Sequence, residues 1–455
     1  MYYTVPIIVS KASNKALFDY FKTNALLAKN LKNAVLYRLR QSYTAMYKET
    51  LSDNEKEVLD EMELVRSRGY KIGKRLSSYY EMDRIFRETH NPDYFSGLPM
   101  QCANQCVKDV IEQFNSFVSL TNKWYKNPSS LLGKPNMPHY IKSNVTTYTI
   151  TNQDGVLYPV YENDIFKGFS LKLPKTKERL FISHLSKDTI LKEIQIKPYF
   201  DTFKVLLVCF SNDEAFVNEA KYSAAIDFGV ENIVTLVDND NLCLIYKGTA
   251  LKAQNQYYNK QKAKLTSIIT KGHTNTKNPT SKRMKLLSKK RDLFIKDQMH
   301  KISKDIITQC IKNNVGTLYL GSNKQWKQNS NIGQVNNQNF VGIPLNTLKN
   351  MIKYKAIRVG IKVMDVEESY TSKADFLSND FIPTYGVNDK EVLFHGKRNK
   401  RGLYQSGTNQ LINADVNGAA NILRKHNPEA FHSGSDYAYL LHPSVIDFKA
   451  LNFKM

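Results

Sequence analysis

Residues 223–237 read SAAIDFGVENIVTLV, and the C-terminal half of the chain is organised around them. Small and β-branched apolar residues on both sides of Asp227 predict two short strands that turn near Gly229 and Asn232. Asp227 therefore lies inside or at the edge of a sheet, where a buried carboxylate is costly unless a cation pairs with it. An Asp that only caps the turn at Gly229 is the alternative, and this stretch alone leaves both interpretations open.

A second segment with an Asp at its start lies near the C-terminus. Residues 413–423 read NADVNGAANIL and predict a helix that opens on Asp415. The helix dipole and the free N–H groups of the first turn stabilise an Asp there. Capping alone would explain Asp415, so the segment gains a further meaning only in combination with residues 223–237.

The two segments together resemble the RuvC-like, RNase H-type nuclease of the TnpB family. The resemblance rests on the strand Asp227 with its following Gly and polar turn residues, on a long helical middle, on residues 370–373 (YTSK) and on the Asp-x-Asn-x-Ala-x-Asn-Ile helix. It covers the C-terminal half specifically and the N-terminal half loosely. TnpB proteins are transposon-encoded, RNA-guided DNA endonucleases and ancestors of the compact type V CRISPR effectors. The resemblance implies a guide RNA, a double-stranded DNA target with a short flanking motif, and two Mg²⁺ ions held by carboxylates that include Asp227 and Asp415.

Composition supports a polyanionic partner. The formal net charge is +23 over 455 residues, and the isoelectric point is near 9.5. No apolar run of bilayer-spanning length, signal peptide or lipidation motif is recognisable, so we expect no membrane partner and a cytoplasmic, nucleoid-associated protein of prokaryotic type. The five cysteines are scattered and never form a CxxC, which argues against both a disulfide framework and a zinc site.

Changes in periodicity divide the chain into an α+β multidomain protein. Residues 1–10 predict a strand, residues 11–126 a helical lobe, and residues 127–215 a small antiparallel barrel that the first strand joins. Within the barrel, alternating polar and apolar residues predict strands at 146–150, 169–173, 194–197 and 203–210. By resemblance, the barrel is a wedge domain that grips the RNA, the helical lobe contacts the guide–target duplex, and residues 216–372 and 413–455 form the nuclease around an insert at 373–412.

Residues 251–304 carry the strongest local charge asymmetry in the chain. They contain 15 Lys or Arg residues against two acids, Asp292 and Asp297. Solvated helices are the alternative, but the interleaved Tyr257 and Tyr258 favour nucleic-acid contact. The predicted contact residues of this region are Lys282, Arg283, Lys289, Lys290 and Arg291.

The second carboxylate expected from the resemblance is missing. Most TnpB proteins carry a Glu at the end of the next core strand, which is 316–320 here, but this position is Gly321. The pair Glu367 and Glu368 follows the strand after that, and a branch of the family shared with the eukaryotic Fanzors has a relocated Glu just before the YTSK segment. We therefore predict Glu368 as the third metal ligand with Asp227 and Asp415; strand alternation allows only one of the pair to face the metals.

The insert at residues 373–412 lacks the four-cysteine zinc ribbon of most relatives, because no Cys follows Cys310. It retains a hairpin-like stretch at 402–412 and a basic run, in which we predict Lys397, Arg398, Lys400 and Arg401 as nucleic-acid contacts. A lid without zinc that guides a DNA strand is our interpretation, and a solvated loop is the alternative.

Three functions remain open at this point. The first is an RNA-guided DNA endonuclease that acts as a monomer or as a dimer on one RNA. The second is a nuclease-dead, RNA-guided repressor, which Gly321 favours and the two Asp residues oppose. The third is a RuvC-type resolvase or RNase without a guide, which would have no use for the large helical and barrel segments.

Overall fold

The chain separates into two compact units, residues 1–213 and 214–455. A computed structural model describes residues 2–211, 220–271, 280–322, 342–388, 392–400, 402–431 and 437–447. The protein mixes helices and sheets in both units. No helix in these ranges is long and apolar enough to cross a membrane.

Four α-helices follow the first strand of the N-terminal unit, as the helical periodicity of residues 11–126 predicts. They are α1 (Lys15–Thr44), α2 (Asp53–Ser67), α3 (Tyr79–Glu88) and α4 (Met100–Lys126). Ser52 with Glu55, and Ser78 with Glu81, form capping boxes that start α2 and α3. The core stripe of α1 includes Leu17, Leu31 and Leu39, but Leu26 is 42% exposed.

The strands of this unit form two antiparallel sheets. They are β1 (Tyr2–Val9), β2 (Tyr148–Thr151), β3 (Val156–Glu162), β4 (Ile165–Lys172), β5 (Arg179–Ile182), β6 (Ile190–Tyr199) and β7 (Thr202–Phe210). One sheet has the order β1-β7-β6-β2, and the other has the order β3-β4-β5. Since β1 pairs with β7 from Tyr2 opposite Phe210 to Val9 opposite Phe203, the helices are inserted between strands of one sheet. Closure of the two sheets into a barrel stays a prediction.

The second unit is built on one mixed six-stranded sheet. Its strands are β8 (Tyr222–Asp227), β9 (Asn232–Asp238), β10 (Cys243–Lys247), β11 (Val315–Ser322), β12 (Lys362–Glu367) and β16 (Ser444–Ile446), in the order β12-β11-β8-β9-β10-β16. The segment around Asp227 forms two antiparallel strands, as predicted, and β11 runs parallel to both β8 and β12. The predicted adjacency of β11 and β12 is therefore present.

Helices cover both faces of this sheet. They are α5 (Thr249–Thr270), α6 (Lys282–Lys312), α7 (Leu345–Arg358), α8 (Ala414–His426) and the short α9 (Ala438–Leu441). Ile226 and Leu320 belong to the core that the sheet shares with α6 and α7, whereas Ala225 and Tyr319 pack with Ile422 of α8. Because side chains alternate along a strand, Asp227 and Gly321 lie on the α8 face.

The insert between β12 and α8 contains a small antiparallel sheet. Its strands are β13 (Lys397–Lys400), β14 (Leu403–Gln405) and β15 (Leu411–Asn413). The predicted hairpin within 402–412 corresponds to the pairing of β14 with β15. Arg401 lies outside the described residues.

Candidate active site

Three parallel strands end at the same edge of the six-stranded sheet. Ile226 pairs with Leu320, and Gly321 pairs with Val366, so the ends of β8, β11 and β12 lie side by side. Asp227 is the last residue of β8, and Glu368 comes directly after β12. Carboxylates from two strand ends therefore reach one edge, with Gly321 on the strand between them.

Glu368 occupies the space that a side chain at position 321 would need. A Cβ built on Gly321 would overlap Glu368 Oε2, and it would also lie 3.0 Å from Ile422 Cδ1 and 3.2 Å from the Ile226 carbonyl oxygen. Glu368 Oε2 is buried and makes no hydrogen bond within the described part of the chain. Burial raises the pKa of Glu368 to about 7, although Lys349 opposes the shift. The absence of a side chain at Gly321 thus makes room for a carboxylate from the neighbouring strand.

Glu367 has a different environment. Its side chain is 45% exposed, and its Oε2 lies 2.5 Å from Nζ of Lys425 on α8. Its Oε1 accepts the Ser369 amide at 2.5 Å. The two neighbouring glutamates are therefore separated as strand alternation predicts, with Glu367 in a surface ion pair and Glu368 against Gly321.

Asp415 does not cap the helix on which it lies. We expected α8 to open on Asp415, but the helix begins at Ala414, and the Asn413 side chain accepts the amides of Asp415 and Val416. The Asp415 carboxylate is instead bound by Asn232, whose Nδ2 donates to Oδ2 at 2.6 Å. Lys247 Nζ donates to Asn232 Oδ1 at 3.0 Å. Lys247 and Asn232 thus fix Asp415 from two strands of the sheet.

Asp227 is electrostatically coupled to both other carboxylates. Burial raises its pKa well above the usual range, and the charges of Asp415 and then Glu368 raise it further. Its Oδ2 lies 3.0 Å from the position of a Cβ on Gly418 of α8, so a larger residue there would press on the carboxylate. The Gly229 amide donates to the Ile233 carbonyl at 3.5 Å, so a backbone hydrogen bond closes the turn that follows Asp227.

The residues present fit a divalent cation. Among the residues that the structure describes, no three His, Cys, Asp or Glu side chains already form a metal-binding group. However, the three carboxylates supply hard oxygen ligands, the Glu368 Oε2 atom has no partner, and mutual repulsion raises the pKa of Asp227. A bound cation would offset that repulsion.

One predicted nucleic-acid residue lies beside these carboxylates. The Arg398 guanidinium of β13 is 3.6 Å from Asp415 Oδ1 and half-exposed, and its charge lowers the pKa of Asp227. Lys397 and Lys400 of the same strand are exposed. Sequence reasoning placed Arg398 in a lid, but its proximity to Asp415 was not predicted, because the path of the insert is not encoded in any periodic pattern.

The insert is held by a buried carboxylate network. Asp375 is fully buried, and its Oδ2 accepts the Ser378 hydroxyl at 2.6 Å, the Ser406 hydroxyl at 2.7 Å and the Gly407 amide at 2.8 Å. Asn417 of α8 anchors the same loop by accepting the Phe376 amide at 3.0 Å and donating to the Ala374 carbonyl at 2.8 Å. These hydrogen bonds connect the start of the insert with residues 406 and 407 near its end.

We expect Asp375→Ala to loosen the insert, because two hydroxyls and an amide would each lose a buried acceptor, at about 1 to 3 kcal/mol per group. Burial alone would raise the pKa of Asp375, but the hydroxyls of Ser378 and Ser406 outweigh it and the net pKa is lowered. The network is therefore stabilising above the unfolded pKa of about 3.9 and is lost as the pH falls through the lower folded pKa. Hydrogen exchange of residues 374–413 measures both effects, with exposed Asn399→Ala as the control. Protection that changes with zinc or with chelator would contradict a zinc-free insert.

The predicted contact residues of helix α6 differ in their exposure to solvent. Lys282, Arg283 and Lys290 are exposed on α6, whereas Lys289 is half-buried. Arg291 Nε donates to Asn255 at 2.8 Å, and its guanidinium also contacts the Gly342 carbonyl and lies 5.3 Å from the Tyr258 ring centre. Arg291 therefore links α6 to α5 and to residue 342.

Replacing Lys282, Arg283 and Lys290 together with Ala should weaken nucleic-acid binding at low salt and reduce the salt slope by about 2 to 3, if each neutralises one phosphate. Arg291→Ala should instead lower the free energy of unfolding by about 1 to 3 kcal/mol, because Asn255 and the Gly342 carbonyl would lose their hydrogen-bond donor. Binding measured from 50 to 300 mM salt (roughly the range where the slope is linear) reports phosphate contacts. Thermal melts report the loss of internal stabilisation. An unchanged slope in the triple variant would show that these side chains are only solvated.

Comparisons with known proteins match both parts of this site. The family model OrfB_IS605, described as a probable transposase, matches residues 208–327, and the model described as the Cas12f1-like TNB domain matches residues 346–422. The TnpB-like protein ORF457 of Acidianus two-tailed virus is 30% identical over 210 residues, which cover 44% of this chain and 41% of that protein. These partial matches relate the chain to TnpB-type proteins. The first match contains Asp227 and Gly321, and the second contains Glu368 and Asp415.

Solved structures similar to this chain are complexes of Cas12f proteins. One, a Cas12f1–sgRNA–target DNA complex, is 17% identical, covers 94% of this chain and 100% of that chain, and has a TM-score of 0.34. Another, a CRISPR–Cas12f ternary complex, is 16% identical and has a TM-score of 0.31. The alignment covers 89% of this chain and 81% of that chain. Because both TM-scores lie below 0.5, the likeness to TnpB-type proteins rests on the two domain matches and the viral relative.

Proposed function

We propose that this chain is a TnpB-type, RNA-guided DNA endonuclease with a RuvC-like nuclease unit. The observation that carries the proposal is the position of Glu368, which fills the space beside Gly321. After burial, the charges of Asp415 and Glu368 both raise the pKa of Asp227. Along the chain, the antiparallel strands β8, β9 and β10 are followed by β11 and β12, which run parallel to β8. Together with the sheet order β12-β11-β8-β9-β10, this arrangement supports an RNase H-type fold. A loss of nuclease function would not require a carboxylate to be kept at this position.

Asp227, Glu368 and Asp415 would hold two Mg²⁺ ions, which activate water and stabilise the leaving oxygen in phosphodiester hydrolysis. The chain's own part is to keep these oxygens in place. Lys247 and Asn232 hold Asp415, and Lys349 Nζ donates to the Gly321 carbonyl at 3.0 Å and pairs with Asp365 at 2.9 Å, which fixes the ends of β11 and β12. Arg398, beside Asp415, supplies a positive charge where a DNA phosphate would approach.

The remaining segments would serve RNA and DNA binding. In this proposal the N-terminal sheets form the wedge domain, the inserted helices α1–α4 form the recognition lobe, and the exposed lysines of α6 contact phosphates. The net charge of +23 supports a polyanionic partner that is retained at moderate salt.

A nuclease-dead, RNA-guided repressor is the second candidate. Gly321 favours it, because the residue that most relatives use as a ligand is absent. The buried Glu368 Oε2 atom, which makes no hydrogen bond to any residue that the structure describes, opposes it, since burying a carboxylate is costly unless a cation is bound.

The test begins with the RNA that co-purifies with the protein. We expect a structured RNA that is released only at high salt; its sequence defines a matching DNA duplex, which the complex should cleave with Mg²⁺ or Mn²⁺ and not with chelator. Elemental analysis should find no zinc after dialysis. Protein that purifies free of RNA at moderate salt and still binds its DNA would refute a guide, and guided binding without cleavage would favour the repressor.

A further inference from the structure

Two exposed aromatic side chains lie in one row across the sheet β3-β4-β5. Tyr158 pairs with Ser170, and Ser170 pairs with Phe181 on the other side. Tyr158 is 45% exposed and Phe181 is 55% exposed, whereas Leu171 and Ile182, the next residues along β4 and β5, are buried in the core. Because alternate residues point to opposite faces, the aromatic row lies on the face turned away from that core.

The neighbouring row on this face is positively charged. Val156 pairs with Lys172, which pairs with Arg179, and both basic residues are exposed. The Arg179 guanidinium lies 5.2 Å from the Tyr158 ring centre. Neither Lys172 nor Arg179 forms a salt bridge with an acid in the described part of the chain. The face therefore combines two aromatic rings with two uncompensated cations.

The spacing of the rings suits separated bases. Neighbouring strands are about 4.8 Å apart, so Tyr158 and Phe181, two strands apart, are about 10 Å apart. Rings at that distance cannot stack on each other, and Ser170 is the residue paired between them. Both aromatic side chains are about half exposed, so planar groups of a ligand can reach them. An unpaired nucleic-acid strand offers such groups together with phosphates, whereas a duplex hides its base faces.

Scattered exposed aromatics are common on protein surfaces and need no function on their own. What distinguishes this face is the register, since the rings and the cations occupy adjacent rows with no acid among them. A protein partner would bury Tyr158 and Phe181 equally well, but it would not by itself compensate Lys172 and Arg179. Charge complementarity therefore favours a nucleic acid.

We propose that this face binds an unpaired stretch of RNA, with one base stacked on Tyr158, another on Phe181, and phosphates at Lys172 and Arg179. The choice of RNA rests on the proposed function, because a guide RNA is present before any DNA duplex is opened. The site lies in the first unit and is separate from the carboxylates of the second.

The experiment uses the full chain freed of RNA at high salt and a labelled eight-nucleotide pyrimidine RNA (about the length that single-strand binding sites accommodate). An abasic strand of equal length carries the same phosphates. The wild type should prefer the base-bearing strand, and Tyr158→Ala/Phe181→Ala should lose that preference, by roughly fivefold to a hundredfold per ring, with an unchanged salt slope. Lys172→Ala/Arg179→Ala should weaken binding of both strands and lower the slope by about 0.7 per phosphate.

Matched variants keep the test decisive. Tyr354→Ala removes an exposed aromatic on α7, a helix with no proposed RNA contact, and should leave the preference for bases unchanged. If the double alanine variant does not fold, Tyr158→Leu/Phe181→Leu retains apolar bulk without the rings. A preference for bases that persists in the folded ring-free variant overturns the proposal. A DNA strand whose binding depends equally on the rings also overturns it. So does a concentration-dependent dimer of the wild type that the ring-free variant no longer forms. A chain that cleaves guided DNA but shows no dependence on the rings refutes only this inference, and binding that depends on the rings without cleavage refutes only the endonuclease.

Discussion

Glu368→Ala is expected to reduce guided DNA cleavage by several orders of magnitude while guide and target binding barely change. The substitution removes a ligand charge that would offset the cations, and it leaves the exposed basic residues of α6 intact. Asp227→Ala and Asp415→Ala should have comparable effects. Single-turnover cleavage and target affinity, measured on the same RNA-loaded preparations, separate the chemical step from binding.

Glu367→Ala is the matched control, because it changes the adjacent residue and the same charge. The Glu367 carboxylate is 45% exposed, pairs with Lys425 and lies apart from the space beside Gly321, so its loss should affect cleavage only mildly. If Glu367→Ala were inactive and Glu368→Ala active, the relocation would stand but the choice within the pair would be wrong. Normal cleavage by both single variants and by the double variant would remove the support for relocation.

Gly321→Glu is expected to impair the enzyme rather than improve it, although it restores the residue that most relatives carry. Its Cβ alone would overlap Glu368 Oε2 and crowd Ile422, and overpacking of this kind costs about 1 to 3 kcal/mol. Gly321→Ala should show a smaller loss of stability, because the Glu368 carboxylate lies at the end of a flexible side chain and can shift away from a single methyl group. Thermal melting measures the loss of stability, and cleavage rates measure the loss of activity.

The reciprocal exchange makes this prediction sharper. Gly321→Glu combined with Glu368→Gly returns a carboxylate to the central strand and removes the side chain that it would strike. The double variant should cleave faster than Glu368→Ala and melt higher than Gly321→Glu, because the two substitutions are in contact and their effects are not additive. Strictly additive losses would show that positions 321 and 368 do not share one space.

The sequence predicted those parts of the fold in which periodicity is strong. The strands around Asp227, the first strand, the helical lobe and β12 all have the expected type. Two strands of the first unit were missed, because β3 contains Pro159 and exposed aromatics and β5 has only four residues. Leu26 is exposed because Ala25 and Ala28, which carry no strong apolar signal, occupy the buried positions of α1.

The site was predictable only where a motif or a strand end marked it. Asp227, Glu368 and Asp415 follow from position and resemblance, but the support of Asp415 by Asn232 joins residues 183 positions apart and has no local signal. The capping role of Asn413 was assigned to Asp415, since both residue types suit a helix start. Likewise, Arg291 has the composition of a phosphate contact, and only the fold shows that it serves as an internal link.

The insertion of α1–α4 between β1 and β7 also sets an order of events during synthesis. β1 cannot find its partner until residues 202–210 have left the ribosome, which takes about 10 to 40 seconds at 5 to 20 residues per second. During that interval the helices, whose contacts are local, can form and pack. The helical lobe is therefore assembled before the sheet that carries it, and β1 spends those seconds as an unpaired edge that nascent-chain chaperones can bind.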